Sequence, residues 1–328
     1  MKALYWLACV AAVIAAPAAG QAPQKTSASK NYNPPRTPDG KPDLQGVWTN
    51  VTLTPLERPE ELKDKAFFAS AAEADQYAKD LIQRTNADRR DGGAAADVGR
   101  AYNQFWYDRG TKVIPALRTS LIVDPPDGKI PLLTPAAQAR VAAQAERRQL
   151  HPADGPEDRS LTERCIIWPT VGPPMLPGPY NNNYQIIQGP GYVMIVVEMI
   201  HDVRVIPTDG RPHLPSNIRQ WTGDSRGHWE GNTLVIDTTN FSNKTSFRGS
   251  DENLHLVERF TRASPDTILY EFTVDDPSAF TKPWSAQVPM AKMEGPLVEY
   301  ACHEGNYAMA GILGGARADE KAKAEKGK

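Results

Sequence analysis

Four of the chain's six histidines, His201, His228, His255 and His303, fall close in sequence to carboxylates and arginines. Histidine beside a carboxylate is the pairing best suited to moving protons near neutral pH. In Asp224-Ser225-Arg226-Gly227-His228-Trp229-Glu230, period-two alternation puts Asp224, Arg226, His228 and Glu230 on one strand face and Trp229 on the other. Two readings fit that face. One is a solvated exterior with a cross-strand Arg226–Asp237 ion pair; the other is the lining of a barrel mouth carrying acid, base and donor groups.

Leu254 to Arg262 and Thr267 to Asp276 read as a hairpin around the four-residue loop Ala263-Ser264-Pro265-Asp266, which sets Glu258 opposite Glu271. Like charges directly opposed on a sheet repel; enclosed, they would share one proton at neutral pH. Either the two glutamates hold a proton, or the register is off by one. His201 shares parity with Val197 and Met199 and is expected on a buried face, with Arg204 nearby to hold an anionic or oxyanionic group. Glu299 and His303 share a face in an expected last strand, Leu297 to His303. Trp221 and Tyr300 are the aromatics expected to contact a ligand.

The expected proton carriers are therefore His201, His228 and His303, with Glu258 and Glu271 as the carboxylate pair. No two histidines sit at a tight metal-ligand spacing, and neither metal nor cofactor is expected. Gly-x-Ser-x-Gly, a Walker loop and the Rossmann glycine fingerprint are all missing.

Gly191 to Ile206 reads as one long strand. Gly227 to Glu230 and Thr233 to Asp237 flank Gly231-Asn232, a two-residue hairpin turn, and Asp43 to Thr49 reads as the first strand. Alanine-rich stretches at 66–84 and 135–149 are the best helices, the second opened by Thr134-Pro135. Hairpins in succession imply an antiparallel sheet, which closes into a barrel or sandwich to remove its edges. The expected organisation is a leader over 1–20, a proline-rich arm over 21–42, and one β-rich domain over 43–317. That domain carries a helical insertion at about 56–150, and a charged tail follows over 318–328.

Lys2, the apolar run Leu4 to Ala16 and Pro17-Ala18-Ala19-Gly20 have the three parts of a cleavable secretory signal. Export to the periplasm or medium follows. The apolar run falls short of the ~20 residues of a membrane span. With 37 basic against 39 acidic residues and no basic stripe, a nucleic-acid partner is not expected. Cys165 and Cys302 survive cleavage as an even pair in an oxidising compartment and read as a disulfide; two separate buried thiols are the other reading.

Arg118-Thr119-Ser120-Leu121-Ile122-Val123-Asp124-Pro125-Pro126-Asp127-Gly128, Glu163-Arg164-Cys165, Gly223 to Leu234 and Tyr300 to Tyr307 together resemble a large family of secreted bacterial proteins, abundant in acidobacteria and sphingomonads. The resemblance spans nearly all the mature chain and implies compartment, but no catalytic residue. Gly46-Val47-Trp48 is similar to the opening of lipocalin-type barrels, which implies an apolar cavity served by acid–base groups. The leading expectation is a secreted protein that binds a small hydrophobic or phenolic molecule, with metal-free lyase, hydratase or isomerase chemistry. A non-catalytic ligand carrier, a metal-dependent hydrolase and an envelope scaffold are the alternatives.

Overall fold

Strands with alternating apolar and polar residues can bury one face only by curling around it, and this chain does so. The computed structural model describes residues 32–90, 92–94, 103–245 and 247–326; the expected leader and most of the arm lie outside them. Ten strands form one antiparallel sheet: β1 Gly46–Thr49, β2 Ile122–Asp124, β3 Asn183–Gly189, β4 Tyr192–Val197, β5 Val203–Pro207, β6 Asp224–Glu230, β7 Thr233–Thr239, β8 His255–Ser264, β9 Thr267–Asp275 and β10 Trp284–Lys292. Nine of them run in the order β5-β4-β3-β1-β10-β9-β8-β7-β6, and β2 pairs with β10 off that path.

Nine alternating strands leave β5 and β6 parallel, and side chains rather than a described ladder close this seam. At Gly227 a Cβ would lie 2.9 Å from Thr208 Cγ2 and 3.0 Å from Ile206 Cγ2, so only glycine lets β6 come this close to β5. The result is a nearly closed nine-stranded barrel, an architecture consistent with lipocalin-type barrels.

The inward positions are filled rather than hollow. Trp48, Tyr184, Phe260, Tyr270, Phe272 and Trp284 are each no more than 2 % exposed. The segment entering β3 adds a plug, with Val171 and Met175 buried and Met175 N–H donating to Tyr270 Oη at 3.0 Å. At the other end the arm's last residue, Pro42, accepts from Gln188 Nε2 at 3.0 Å, and just after it Arg262 donates to Asp43 O at 2.8 Å and lies 5.4 Å from the Trp48 ring centroid.

The insertion holds α1 Ala71–Thr85 and α2 Pro135–Leu150. Ser70 Oγ accepts from Glu73 N–H and Thr134 Oγ1 from Ala137 N–H, the capping expected of these residue types. The insertion also contributes β2 to the sheet. Its Arg118 binds Gln287 on β10, and burial pushes that guanidinium down to about 10 despite nearby Glu271.

The first hairpin has its expected register, with Glu230 opposite Thr233, His228 opposite Val235 and Arg226 opposite Asp237. Four other expectations are corrected. Gly191 to Ile206 is two strands, because the chain reverses over Glu198–Asp202, where Ile200 (φ 63°) and His201 (φ 46°) adopt left-handed backbone. The second hairpin turns on Pro265-Asp266 alone, with an irregularity between Arg262 and Ser264. This shifts the register by one, so Glu258 opposes Phe272 and Arg259 opposes Glu271.

The segment Leu297 to His303 forms no strand; β10 supplies the strand instead. Pro289 masks β10 in the sequence. It is accommodated between Ser285-Ala286, which pair with β2, and Ala291-Lys292, which pair with β1. The residues before the expected tail and the tail itself through Lys326 are one helix, α3 Tyr307–Lys326, with no buried residue. Its alanines, lysines and glutamates carry enough propensity to tolerate Gly311, Gly314 and Gly315, at about 1 kcal/mol each.

Candidate functional site

Inside the barrel, the expected ligand-binding and catalytic charges satisfy one another. Arg204 forms a two-pronged ion pair with Glu258, at 3.1 Å from Nη1 to Oε1 and 2.5 Å from Nη2 to Oε2. Tyr270 donates to Glu258 Oε1 at 2.9 Å, and Arg204 Nη2 also reaches Ser225 Oγ at 3.3 Å. Burial disfavours the Arg204 charge, but Glu258 outweighs it and holds the guanidinium above its ordinary value. Burial, reinforced by Glu258, pushes the Tyr270 phenol well up. Glu271 faces outward and accepts from Gln287 Nε2 at 3.0 Å. The expected Glu258–Glu271 proton-sharing pair does not exist.

Nor does the structure bring the three expected proton carriers together. His201 is exposed on the β4–β5 turn. His228 is exposed on the outer face near the β6–β7 turn, at the opposite end of the strands, 3.1 Å from Glu230 Oε1. His303 is exposed after the disulfide. The β6 face is thus the solvated exterior of the two readings offered above, and its ion pairs differ from the expected one. Arg226 binds Asp224 at 2.6 Å, while Asp237 receives His213 Nε2 at 2.9 Å and His255 Nε2 at 2.7 Å. His213 Nδ1 lies 2.9 Å from Asp224 Oδ2, so this side chain straps the 208–223 crossover onto the barrel wall. No group of three or more His, Cys, Asp or Glu among the described residues is arranged to hold a metal ion.

A large concavity lies outside the barrel, at the end where β6 begins and β7 finishes. It measures about 710 Å³ and has three walls. One is the face of α2 that carries Gln144, Arg147, Arg148 and His151, spaced i, i+3, i+4, i+7 so that all four point the same way. The second is the loop 157–173, which presents Arg159, Arg164 and Trp168. The third is Trp221 with Lys244 and Phe247.

The loop is held by a disulfide between Cys165 and Cys302, whose Cα atoms are 5.7 Å apart. Asn306 adds a bond to Glu163 O at 3.0 Å. This tether brings Tyr300 behind the cleft wall, with its ring centroid 6.5 Å from Trp168 and 6.2 Å from Tyr180. Gly172 and Pro173 form part of the floor. A Cβ on Gly172 (φ +87°) would lie 2.8 Å from Met175 Cγ, so glycine is needed where the plug meets the cleft.

The charges here are unevenly spent. Arg147 pairs with Asp158 at 2.9 Å, Arg159 with Glu163, and Arg164 with Glu157 at 3.9 Å. Arg148 and Lys244 have no ion pair among the described residues. Aromatic walls with unpaired cations can take the ring and the anionic group of one small molecule. Of the expected ligand contacts, Trp221 lines this cleft, Tyr300 supports its wall and Arg204 does not line it. Sequence reasoning missed Arg148, His151 and Lys244; the helical spacing of Gln144, Arg147, Arg148 and His151 was the available signal. Compared with protein-family models and with curated proteins, the chain finds no match in either.

Proposed function

We propose that the protein is an exported binder of small amphipathic organic anions. The ligand's aromatic part would lie against Trp168, Trp221 and Phe247, and its charged group against Arg148 and Lys244. The observation that carries this reading is the cleft, where aromatic side chains and two cations without ion-pair partners among the described residues line one space of about 710 Å³. A volume of this size suits a molecule of one to three fused or linked rings.

Export by the 1–20 leader fits the Cys165–Cys302 disulfide, which persists in oxidising compartments. No helix among the described residues is long and apolar enough to cross a membrane.

The test is a titration followed by tryptophan fluorescence, using 1-naphthoate and its cationic counterpart 1-naphthylmethylammonium. Naphthoate is expected to bind one-to-one and at least about tenfold more tightly than the cation, a difference of about 1.4 kcal/mol. The double variant Arg148→Ala, Lys244→Ala should erase that preference, and added salt should shrink it in the parent protein. Equal affinity for the two probes, or no saturable binding of naphthoate, would remove the basis for this function.

A further inference from the structure

His151 caps the C-terminal end of α2, its backbone N–H donating to Arg147 O at 2.8 Å. Its ring is held from one side only: Nδ1 lies 2.6 Å from Asp154 Oδ2. An ionised carboxylate only accepts, so in the neutral imidazole Nδ1 carries the hydrogen and Nε2 keeps its lone pair. Nε2 has no partner among the described residues, and His151 lines the cleft. A histidine oriented by a carboxylate, with its second nitrogen open to a binding space, is built to accept a proton.

The charged groups around it fit this role. Arg147 and Arg148 lie on the same face of α2, Glu157, Asp158 and Arg159 on the next turn of chain, and Lys244 on the facing wall. Asp158 is occupied by Arg147 and by Gly155 N–H at 3.0 Å and acts on His151 only through space. Arg317 of α3 donates to the Asp154 backbone O at 2.8 Å. The Asp154 carboxylate, in direct contact with Nδ1, balances a proton on His151. Arg148 and Lys244 remain to hold an oxyanion.

We infer that His151 is the proton acceptor of the cleft and that the ligand class is hydroxyaromatic, bound as the phenolate. The inference rests on the cleft being the binding site. In the step, the phenolic O–H bond breaks and the oxygen keeps the electron pair. The proton forms a new N–H bond at His151 Nε2. Asp154 stabilises the resulting imidazolium through Nδ1–H, and Arg148 with Lys244 stabilises the phenolate. No oxidant or further reactant is involved.

The probe is 4-nitrophenol, whose phenolate absorbs visible light while the neutral form does not. Binding to the full-length protein is read by tryptophan fluorescence and ionisation by absorbance, at a pH where the free probe is mostly neutral. The bound probe should show the phenolate band. His151→Gln should lower the bound phenolate fraction at least tenfold and weaken 4-nitrophenol binding with it, while 1-naphthoate, which has no proton to give, still saturates the cleft; Asp154→Asn should lower the fraction part-way.

Since His151 and Asp154 are exposed, both variants are expected to unfold at the parent's temperature, checked by circular dichroism. A bound probe that stays neutral, or a band that survives His151→Gln, overturns the assignment of His151 alone if 1-naphthoate still binds. Failure of both probes to bind overturns the cleft reading and this inference with it.

Discussion

The barrel interior and the cleft at its end hold the same kinds of residue, arginine, carboxylate and aromatic ring, in opposite states of commitment. Inside, Arg204, Glu258, Tyr270 and Ser225 bond one another, with only Arg204 Nε of that group left unpartnered among the described residues, and the Tyr270 ring packs against Phe260 and Phe272. In the cleft, Arg148 and Lys244 have no carboxylate partner among the described residues, His151 has one nitrogen bonded to them, and Trp221 is 36 % exposed. Burial accounts for the difference. A charge removed from water must find its partner within the fold, whereas a charge at the rim can stay solvated until a ligand arrives. A buried ion pair is therefore poor evidence of function, and an unpaired cation beside an aromatic wall is better evidence.

The largest effect expected from this contrast is in the interior. Glu258→Ala leaves Arg204 buried without its counter-ion and should cost about 3–5 kcal/mol of stability in urea unfolding. The affinity of the folded fraction for 1-naphthoate should not change. A tenfold loss of affinity at undiminished stability would reverse the roles given to the two regions.

The disulfide tests how far the cleft depends on its tether. Replacing both Cys165 and Cys302 with serine should cost about 2–5 kcal/mol, the chain-entropy value for so long a loop being near the top of that range. It should also weaken naphthoate binding several-fold, because the 157–173 wall and Tyr300 lose their anchor. If denaturation shows the stability loss while affinity stays at the parent value, the cleft wall stands on its own packing and the tether serves the fold alone.

The smallest effect sharpens the electrostatics of the same wall. Burial raises the Glu163 carboxyl, but hydrogen bonds from Arg159 and Ser160 outweigh it and hold the group below its ordinary value. A depressed folded value means that this contribution is fully present above the ordinary carboxylate value of about 4.5 and is lost as pH falls through the lower folded value. Because the pair is partly solvated, the contribution should be well under 1 kcal/mol. Thermal melting of the parent and Glu163→Gln should therefore differ slightly at neutral pH and converge in acid. Curves that diverge in acid would contradict the assigned coupling.

Much of the fold was legible because its causes are local. Thr134-Pro135 opens α2, alanine-rich stretches form α1 and α2, and Gly231-Asn232 sets the first hairpin in its register. The second hairpin was misread because an irregularity beside Ser264 changes the residue count without a strong sequence mark, and in a sheet one residue exchanges inside for outside. That single step turned Glu271 to the outer face and set Phe272 opposite Glu258, which keeps its inward position and pairs there with Arg204. His201 was misplaced for a related reason: nothing in Val197 to Arg204 announces the left-handed backbone at Ile200 and His201.

Taken by itself, the sequence determined the antiparallel β class, the helical insertion and the expected pairing of its two cysteines, since alternation, capping and residue count act over short spans or need no coordinates. The tertiary structure alone decided which charges meet. Arg204 and Glu258 are 54 positions apart, and the three cleft walls come from α2, the 157–173 loop and the residues around β6 and β7. Contacts of that range depend on barrel closure, strand register and the path of the plug, and these are settled by packing the whole chain at once.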